Sequence, residues 1–153
     1  GSWKLIFVGD GPCRKECMDY VSQKGISSYV EFVGVVKDVD RYLAQSKIFA
    51  FVSTSEGFPN ALGEAVLFPT ASISYNCPAG PEDIIRDDEN GFLVPLGKVE
   101  EYATKLKMLM ESEELRTRFE MNAVSDRSKY SMENIGESFL NNFWKKKSIL
   151  LGE

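Results

Sequence analysis

The stretch Ile48-Phe49-Ala50-Phe51-Val52-Ser53-Thr54-Ser55-Glu56-Gly57-Phe58-Pro59-Asn60-Ala61-Leu62-Gly63-Glu64-Ala65 decides how this chain is read. Five consecutive apolar residues, Ile48 to Val52, predict a strand covered on both faces, because a half-exposed strand would alternate. A polar Ser53-Thr54-Ser55 turn follows, and Gly57 and Pro59 break the backbone before a short apolar helix opens near Asn60. That helix carries one charge, Glu64, among Ala61, Leu62, Ala65, Val66, Leu67 and Phe68. A helix this apolar is expected to be buried, and a lone carboxylate on it then needs hydrogen-bonding partners. Polyol hydroxyls would serve, since a loop and helix start at a strand's carboxyl end is where α/β sheets hold phosphates. The plainer alternative is a helix-start Glu favoured by the dipole, with Glu56 merely solvated.

The same alternation of strand and helix extends both ways. Upstream, Leu5 to Val8 is an unbroken apolar run ending in Gly9-Asp10-Gly11-Pro12, which suits a buried parallel strand. Pro12 marks a helix start and Gly25 its stop, with Cys13, Cys17, Met18 and Val21 as the inner face. Val30 to Val33 is the next strand, closing on Gly34, and Asp38 is placed to cap a helix from Val39 to about Ser46. Downstream, a strand from Ala71 to Tyr75 leads through Asn76-Cys77-Pro78-Ala79-Gly80-Pro81 into a short helix, Glu82 to Ile85. Asn90-Gly91 turns the chain into a last strand, Phe92 to Val94. Helical spacing then takes over, with Tyr102, Leu106, Leu109 and Met110 on one stripe and Leu115, Phe119 and Met121 to Val124 on a second. A third helix, Met132 to Lys146, aligns Phe139, Leu140, Phe143 and Trp144. These elements predict an α/β fold: a doubly wound, Rossmann-like parallel sheet with helices on both faces and a helical C-terminal segment.

Composition narrows the function. The 153 residues are one domain's worth, and 43% hydrophobic with 27% charged residues is a globular composition. A net charge of −5 argues against a nucleic-acid-binding face, which needs clustered Lys and Arg. No apolar run approaches a membrane span, and no charged-then-apolar leader pattern opens the chain. Three cysteines, Cys13, Cys17 and Cys77, suit reduced thiols in a cytoplasm. The chain contains no His, which removes Ser-His and Cys-His nucleophile mechanisms and argues against a zinc site.

With these residues in view, Glu56-Gly57-Phe58 followed by Glu64-Ala65 resembles the Glu-x7-Glu signature of family 4 of the retaining glycosyltransferases with the GT-B fold. Val8-Gly9-Asp10-Gly11-Pro12, Val33-Gly34, Gly80-Pro81 before Ile84-Ile85, and Asn90-Gly91-Phe92-Leu93-Val94 are similar, in order, to that family's C-terminal lobe. The resemblance covers Lys4 to about Trp144. It implies a nucleotide-sugar-binding lobe over residues 3–147 with a tail at 148–153, incomplete at its N-terminal side. The implied roles are ribose hydroxyl binding by Glu64 and a catalytic place beside the donor sugar for Glu56. Sugar and diphosphate contacts are implied for the backbone of Gly57, Phe58, Pro59 (carbonyl only), Asn60, Ala61 and Leu62. Gly9, Gly11, Gly34 and Val35 are implied at the donor site as well, the loop from Gly34 to Val36 at the base. The implied chemistry is transfer from a UDP- or GDP-type donor, with retention and with neither metal nor cofactor. The implied acceptor is a glycan or a lipid-linked carrier in bacterial surface polysaccharide or glycolipid synthesis. The implied location is the cytoplasm at the inner face of the membrane, and the implied partner is an acceptor-binding N-terminal lobe.

Departures from the family pattern are Pro69 and Ala71 where Gly and Pro are usual, and Asp83 where Glu usually precedes the Ile pair. The family's diphosphate-clamping Arg and Lys lie on an upstream strand and helix that this chain does not contain, so the segment alone is expected to be inactive. Other readings of its motifs are weaker. Gly9-Asp10-Gly11 opens like a dinucleotide fingerprint, but Arg14 stands at the third Gly position. Asp38-Val39-Asp40 would need a strand end to hold a divalent ion, whereas a helix start favours carboxylates without one. Asp87-Asp88-Glu89 reads as a solvated acidic turn. Lys145-Lys146-Lys147 after an aromatic face suits peripheral membrane contact or packing against another lobe. Two alternatives stay open, a non-catalytic α/β interaction module and a GT-B-fold sugar-nucleotide epimerase.

Overall fold

The computed structural model describes residues 3–78 and 80–126. Every strand–strand pairing in it is parallel, and the chain divides into two compact units at Gln45/Ser46. The predicted α/β class is found, but the strands form two hydrogen-bonded sheets, of two and three strands.

The first unit contains β1 (Leu5–Val8), α1 (Arg14–Gln23), a single 3-10 turn (Ser27–Tyr29), β2 (Val30–Gly34) and α2 (Asp40–Gln45). β1 runs beside β2 with Leu5 opposite Val30 and Phe7 opposite Phe32, then slips so that Val8 faces Gly34. The Phe7 and Phe32 rings stack at 4.8 Å. Burial of β1 on both faces was the expectation, yet Leu5, Ile6, Phe7 and Val8 are all exposed, by 39% or more. α1 likewise buries only Val21, with Cys17 half-buried and Cys13 and Met18 exposed. Two strands with one ten-residue and one six-residue helix bring too little apolar surface to cover both faces of a sheet. At α2 the Asp38 carboxylate accepts the Arg41 amide proton at 3.2 Å, so this acid caps a helix, and Leu43 is the buried residue behind it.

The second unit carries β3 (Ile48–Phe51), α3 (Asn60–Ala65), β4 (Ala71–Asn76), α4 (Pro81–Ile84), β5 (Gly91–Pro95), α5 (Val99–Glu111) and α6 (Glu113–Asp126). Its strand order is β3-β4-β5, with Ile48 opposite Ala71 and Ser72 opposite Gly91. The pleat sends alternate residues to opposite faces. Ala71, Ile73, Tyr75, Phe92 and Val94 pack with Tyr102, Leu109 and Phe119 from α5 and α6. Phe49, Phe51 and Leu93 pack instead with Leu62, Val66, Ile84 and Ile85, from α3, α4 and the residues just after them. Helices therefore cover both faces here, as the sequence predicts.

One buried hydroxyl ties this sheet together. Tyr102 on α5 lies 3.2 Å from the Ile73 carbonyl oxygen and 3.4 Å from that of Phe51, the last residue of β3. Burial, reinforced by the neighbouring Tyr75, raises its pKa well above the ordinary value of 10.0. Below pH 10 the phenol is protonated in folded and unfolded chains alike, and the bond is fully present. Above it the unfolded chain ionises first, so stability falls as pH rises. Tyr102→Phe should cost about 1 kcal/mol at pH 7. The deficit should shrink as urea titrations are moved from pH 9 to pH 11, and a constant deficit would exclude the linkage.

The acidic turn Asp87-Asp88-Glu89 is latched rather than merely solvated. Asp87 accepts from Lys105 at 3.0 Å and from the Leu93 amide at 2.9 Å. Arg118 reaches Asp88 at 2.7 Å, and Asn122 donates to the Glu89 carbonyl at 2.7 Å. Buried Asn90 closes the turn, accepting the Arg86 amide at 2.7 Å and donating to the Ile84 carbonyl at 3.2 Å. The acids were placed as a turn by sequence; the cations that hold them come from helices 18 and 30 residues downstream. The predicted helix Met132 to Lys146 and the basic run after it lie outside the described residues.

Candidate functional site

After β3 the chain turns at Ser53, whose hydroxyl donates to the Ser55 carbonyl at 3.2 Å, and reaches a half-buried Glu56. Pro59, at φ −81° and ψ 69°, is the centre of an inverse γ-turn in which the Asn60 amide donates to the Phe58 carbonyl at 2.9 Å. The Pro59 carbonyl then accepts the amides of Leu62 and Gly63, at 3.0 and 2.9 Å, and α3 begins. Proline suits this position because its φ is fixed near the required value and no amide proton is lost from the turn. Its ring is buried against Gly80, where a Cβ would come within 2.3 Å of the Pro59 Cδ.

α3 is not buried all round, which corrects the sequence expectation. Leu62, Ala65 and Val66 form the inward stripe, while Ala61 and Glu64, three apart, are both exposed. Among the described residues neither the Glu56 nor the Glu64 carboxylate makes a hydrogen bond or an ion pair within the protein. The predicted backbone donors divide sharply. The Asn60 and Leu62 amides are spent on Phe58 and Pro59, whereas those of Gly57, Phe58 and Ala61 meet no acceptor among the described residues. The Leu62 side chain is wholly buried and its carbonyl accepts the Val66 amide at 3.2 Å, so that residue is engaged within the fold. The Phe58 ring stands 60% exposed.

The other predicted positions lie in the first unit. There the Gly9 amide donates to the Gly34 carbonyl at 2.7 Å, bringing together the ends of β1 and β2. The Gly11 amide is taken by the Asp10 carboxylate at 2.8 Å. Both glycine amides are thus occupied, and a Cβ at either residue would meet nothing within 4 Å. Val35, just past Gly34, is 81% exposed. Sequence reading missed Arg14. Its guanidinium donates to the Phe32 carbonyl at 3.3 Å and pairs with Asp10 at 3.5 Å, and the only hint was an Arg four residues after an Asp at a helix start.

Among the described residues no three His, Cys, Asp or Glu side chains gather as a metal site, and no helix is long and apolar enough to cross a membrane.

A parallel α/β fold whose strand-end loop carries two carboxylates without partners among the described residues is suited to holding a polar ligand. Residues 1–126 match the family model for glycosyl transferases group 1, and the chain belongs to that family. It is 32% identical, over 87% of its length and 37% of the relative's, to the amylovoran biosynthesis glycosyltransferase AmsD of Erwinia amylovora. The crystal structure of the C-terminal domain of the group 1 glycosyl transferase LpcC from Francisella tularensis superposes with a TM-score of 0.76 at 31% identity, covering 85% of this chain and 71% of that one. A structure of TarM from S. aureus, solved with UDP, superposes with a TM-score of 0.81 at 26% identity, covering 90% and 28%. The chain thus spans under two-fifths of the AmsD relative's length.

Proposed function

We propose that this chain is the nucleotide-sugar-binding part of a retaining glycosyltransferase that builds a bacterial surface polysaccharide or glycolipid. The observation that carries the reading is the Glu56–Glu64 segment, whose two carboxylates and three amides have no partners among the described residues, on a loop otherwise rigidly bonded. Rigid donors and acceptors that the protein does not use are what a polar ligand with hydroxyls and phosphates requires. Glu64 takes the ribose hydroxyls, Glu56 stands beside the donor sugar, and the amides of Gly57, Phe58 and Ala61 face the sugar and diphosphate. The loop from Gly34 to Val36 receives the base. The AmsD likeness supports a polysaccharide acceptor, and the UDP held by TarM supports a uridine donor. An N-terminal lobe binds the acceptor, which is a glycan or a lipid-linked carrier at the inner face of the membrane. Departure of the diphosphate is assisted by protein donors without a divalent ion.

The test is calorimetric titration of the full-length protein with UDP and GDP, followed by transfer assays in EDTA. Binding of one nucleotide and metal-independent transfer are expected; silence toward both nucleotides would remove the reading. Glu56→Gln separates the two acids. Turnover should fall roughly 100-fold while nucleotide affinity changes less than about threefold, because the lost interaction is made to the sugar. An equal loss of affinity and turnover would move Glu56 out of the catalytic role.

A further inference from the structure

We propose that Arg14 is a positioning residue for the donor's base, resting on the reading above that the loop from Gly34 to Val36 receives it. Three observations converge on this side chain. First, the β1–β2 ladder slips between Phe7/Phe32 and Val8/Gly34, leaving Val33 as an extra residue in the strand that feeds the loop. A slipped ladder is a local weakness, since a residue in one strand has no opposite number. Second, the Arg14 guanidinium spans that slip from the start of α1, donating to the Phe32 carbonyl at 3.3 Å through Nη2. Its Nη1 lies 3.5 Å from the carboxylate of Asp10, in the turn after β1. Third, Gly34 is buried, has φ +74°, and sits beneath the guanidinium so closely that a Cβ there would lie 3.4 Å from Arg14 Nη1. The backbone bond from Gly9 to Gly34, 2.7 Å, completes the clip.

The arrangement holds the strand end on which the loop is hung. A planar fork with several fixed donors can join a carbonyl on one strand to a carboxylate beside another, which a lysine's single ammonium does poorly. Beyond the clip, Val35 projects into solvent. The loop's backbone donors and acceptors discriminate bases only if its position is fixed to a fraction of an ångström, and this is the task assigned to Arg14. The side chain acts on the base through the loop, and it makes no contact with the diphosphate.

The experiment compares wild type, Arg14→Ala, Arg14→Lys and Asp10→Asn in the full-length protein. Each is titrated with UDP, GDP and inorganic pyrophosphate, with the thermal midpoint and the donor KM and kcat measured alongside. For the preferred nucleotide, Arg14→Ala should weaken affinity about tenfold and raise donor KM to match, with kcat changed less than threefold. The preference between UDP and GDP should narrow by at least threefold, and pyrophosphate affinity should be unmoved. Arg14→Lys should recover little of the loss, and Asp10→Asn should show a smaller version of it. Should Arg14→Ala fold poorly, the lysine and asparagine variants carry the same readouts. Unchanged discrimination in folded variants overturns the proposal, as does an equal loss of pyrophosphate binding, which would place the guanidinium on the phosphates. A wild type that binds no nucleotide instead overturns the donor-site reading on which it stands, so the two failures are distinct.

Discussion

Gly80→Ala should destabilise the protein by about 3 kcal/mol and at the same time displace the loop that carries Glu56. Gly80 has φ +124°, a conformation that side chains strongly disfavour. The added methyl would also stand 2.3 Å from Pro59 Cδ and 2.8 Å from its Cγ. A proline ring cannot swing aside as a flexible side chain does, and this one is buried and begins α3 through its carbonyl. Relief must therefore come from moving the backbone, and the loop from Glu56 to Pro59 moves with it. Urea unfolding should show a lower midpoint at an unchanged slope, and nucleotide titration should show weakened binding even where the fold persists. Gly57→Ala is the internal comparison: its Cβ would meet nothing within 4 Å, so its stability should change by less than about 0.5 kcal/mol. Equal stability costs for the two variants would refute the packing explanation.

Glu64→Ala should reduce nucleotide affinity on the order of 100-fold with little effect on stability. The carboxylate is exposed and, among the described residues, makes no bond within the protein, so the fold loses nothing when it goes. A carboxylate accepting two ribose hydroxyls contributes on the order of 3 kcal/mol, at roughly 1.5 kcal/mol or more per charged hydrogen bond, which converts to about 100-fold. Glu64→Gln keeps the shape but removes the charge and should fall between. Calorimetry with UDP and with its 2′-deoxy analogue separates the causes. The deoxy compound should bind wild type weakly and lose little further in Glu64→Ala. If the variant binds UDP as tightly as wild type, the ribose contact belongs to another residue.

Much of this protein is legible in its sequence. The strands predicted at Leu5 to Val8, Val30 to Val33, Ile48 to Val52, Ala71 to Tyr75 and Phe92 to Val94 are all found within a residue or two of the predicted ends. The helix start near Asn60 and the Asp38 cap were legible too, because proline, glycine and capping acids act through their immediate neighbours. Burial was read less well. β1 is more apolar than β4, yet β1 is exposed and β4 is buried along Ala71 to Tyr75. Apolar sequence states what a strand can cover, and the number of partner elements decides what is covered. The acidic turn misled for a similar reason, since Lys105, Arg118 and Asn122 reach it from distant parts of the chain.

For the site, sequence alone determined the candidate chemistry: two acids eight positions apart and a loop broken by Gly57 and Pro59. Those are properties of residue type and short-range spacing, and the one-dimensional chain contains them. Only the tertiary structure decided which loop amides are free, that Glu64 faces solvent, that Gly80 must lack a side chain for Pro59 to sit, and that Arg14 bridges a slipped ladder. Each of these depends on atoms contributed by segments far apart along the chain, whose approach is set by packing and hydrogen-bond satisfaction in three dimensions.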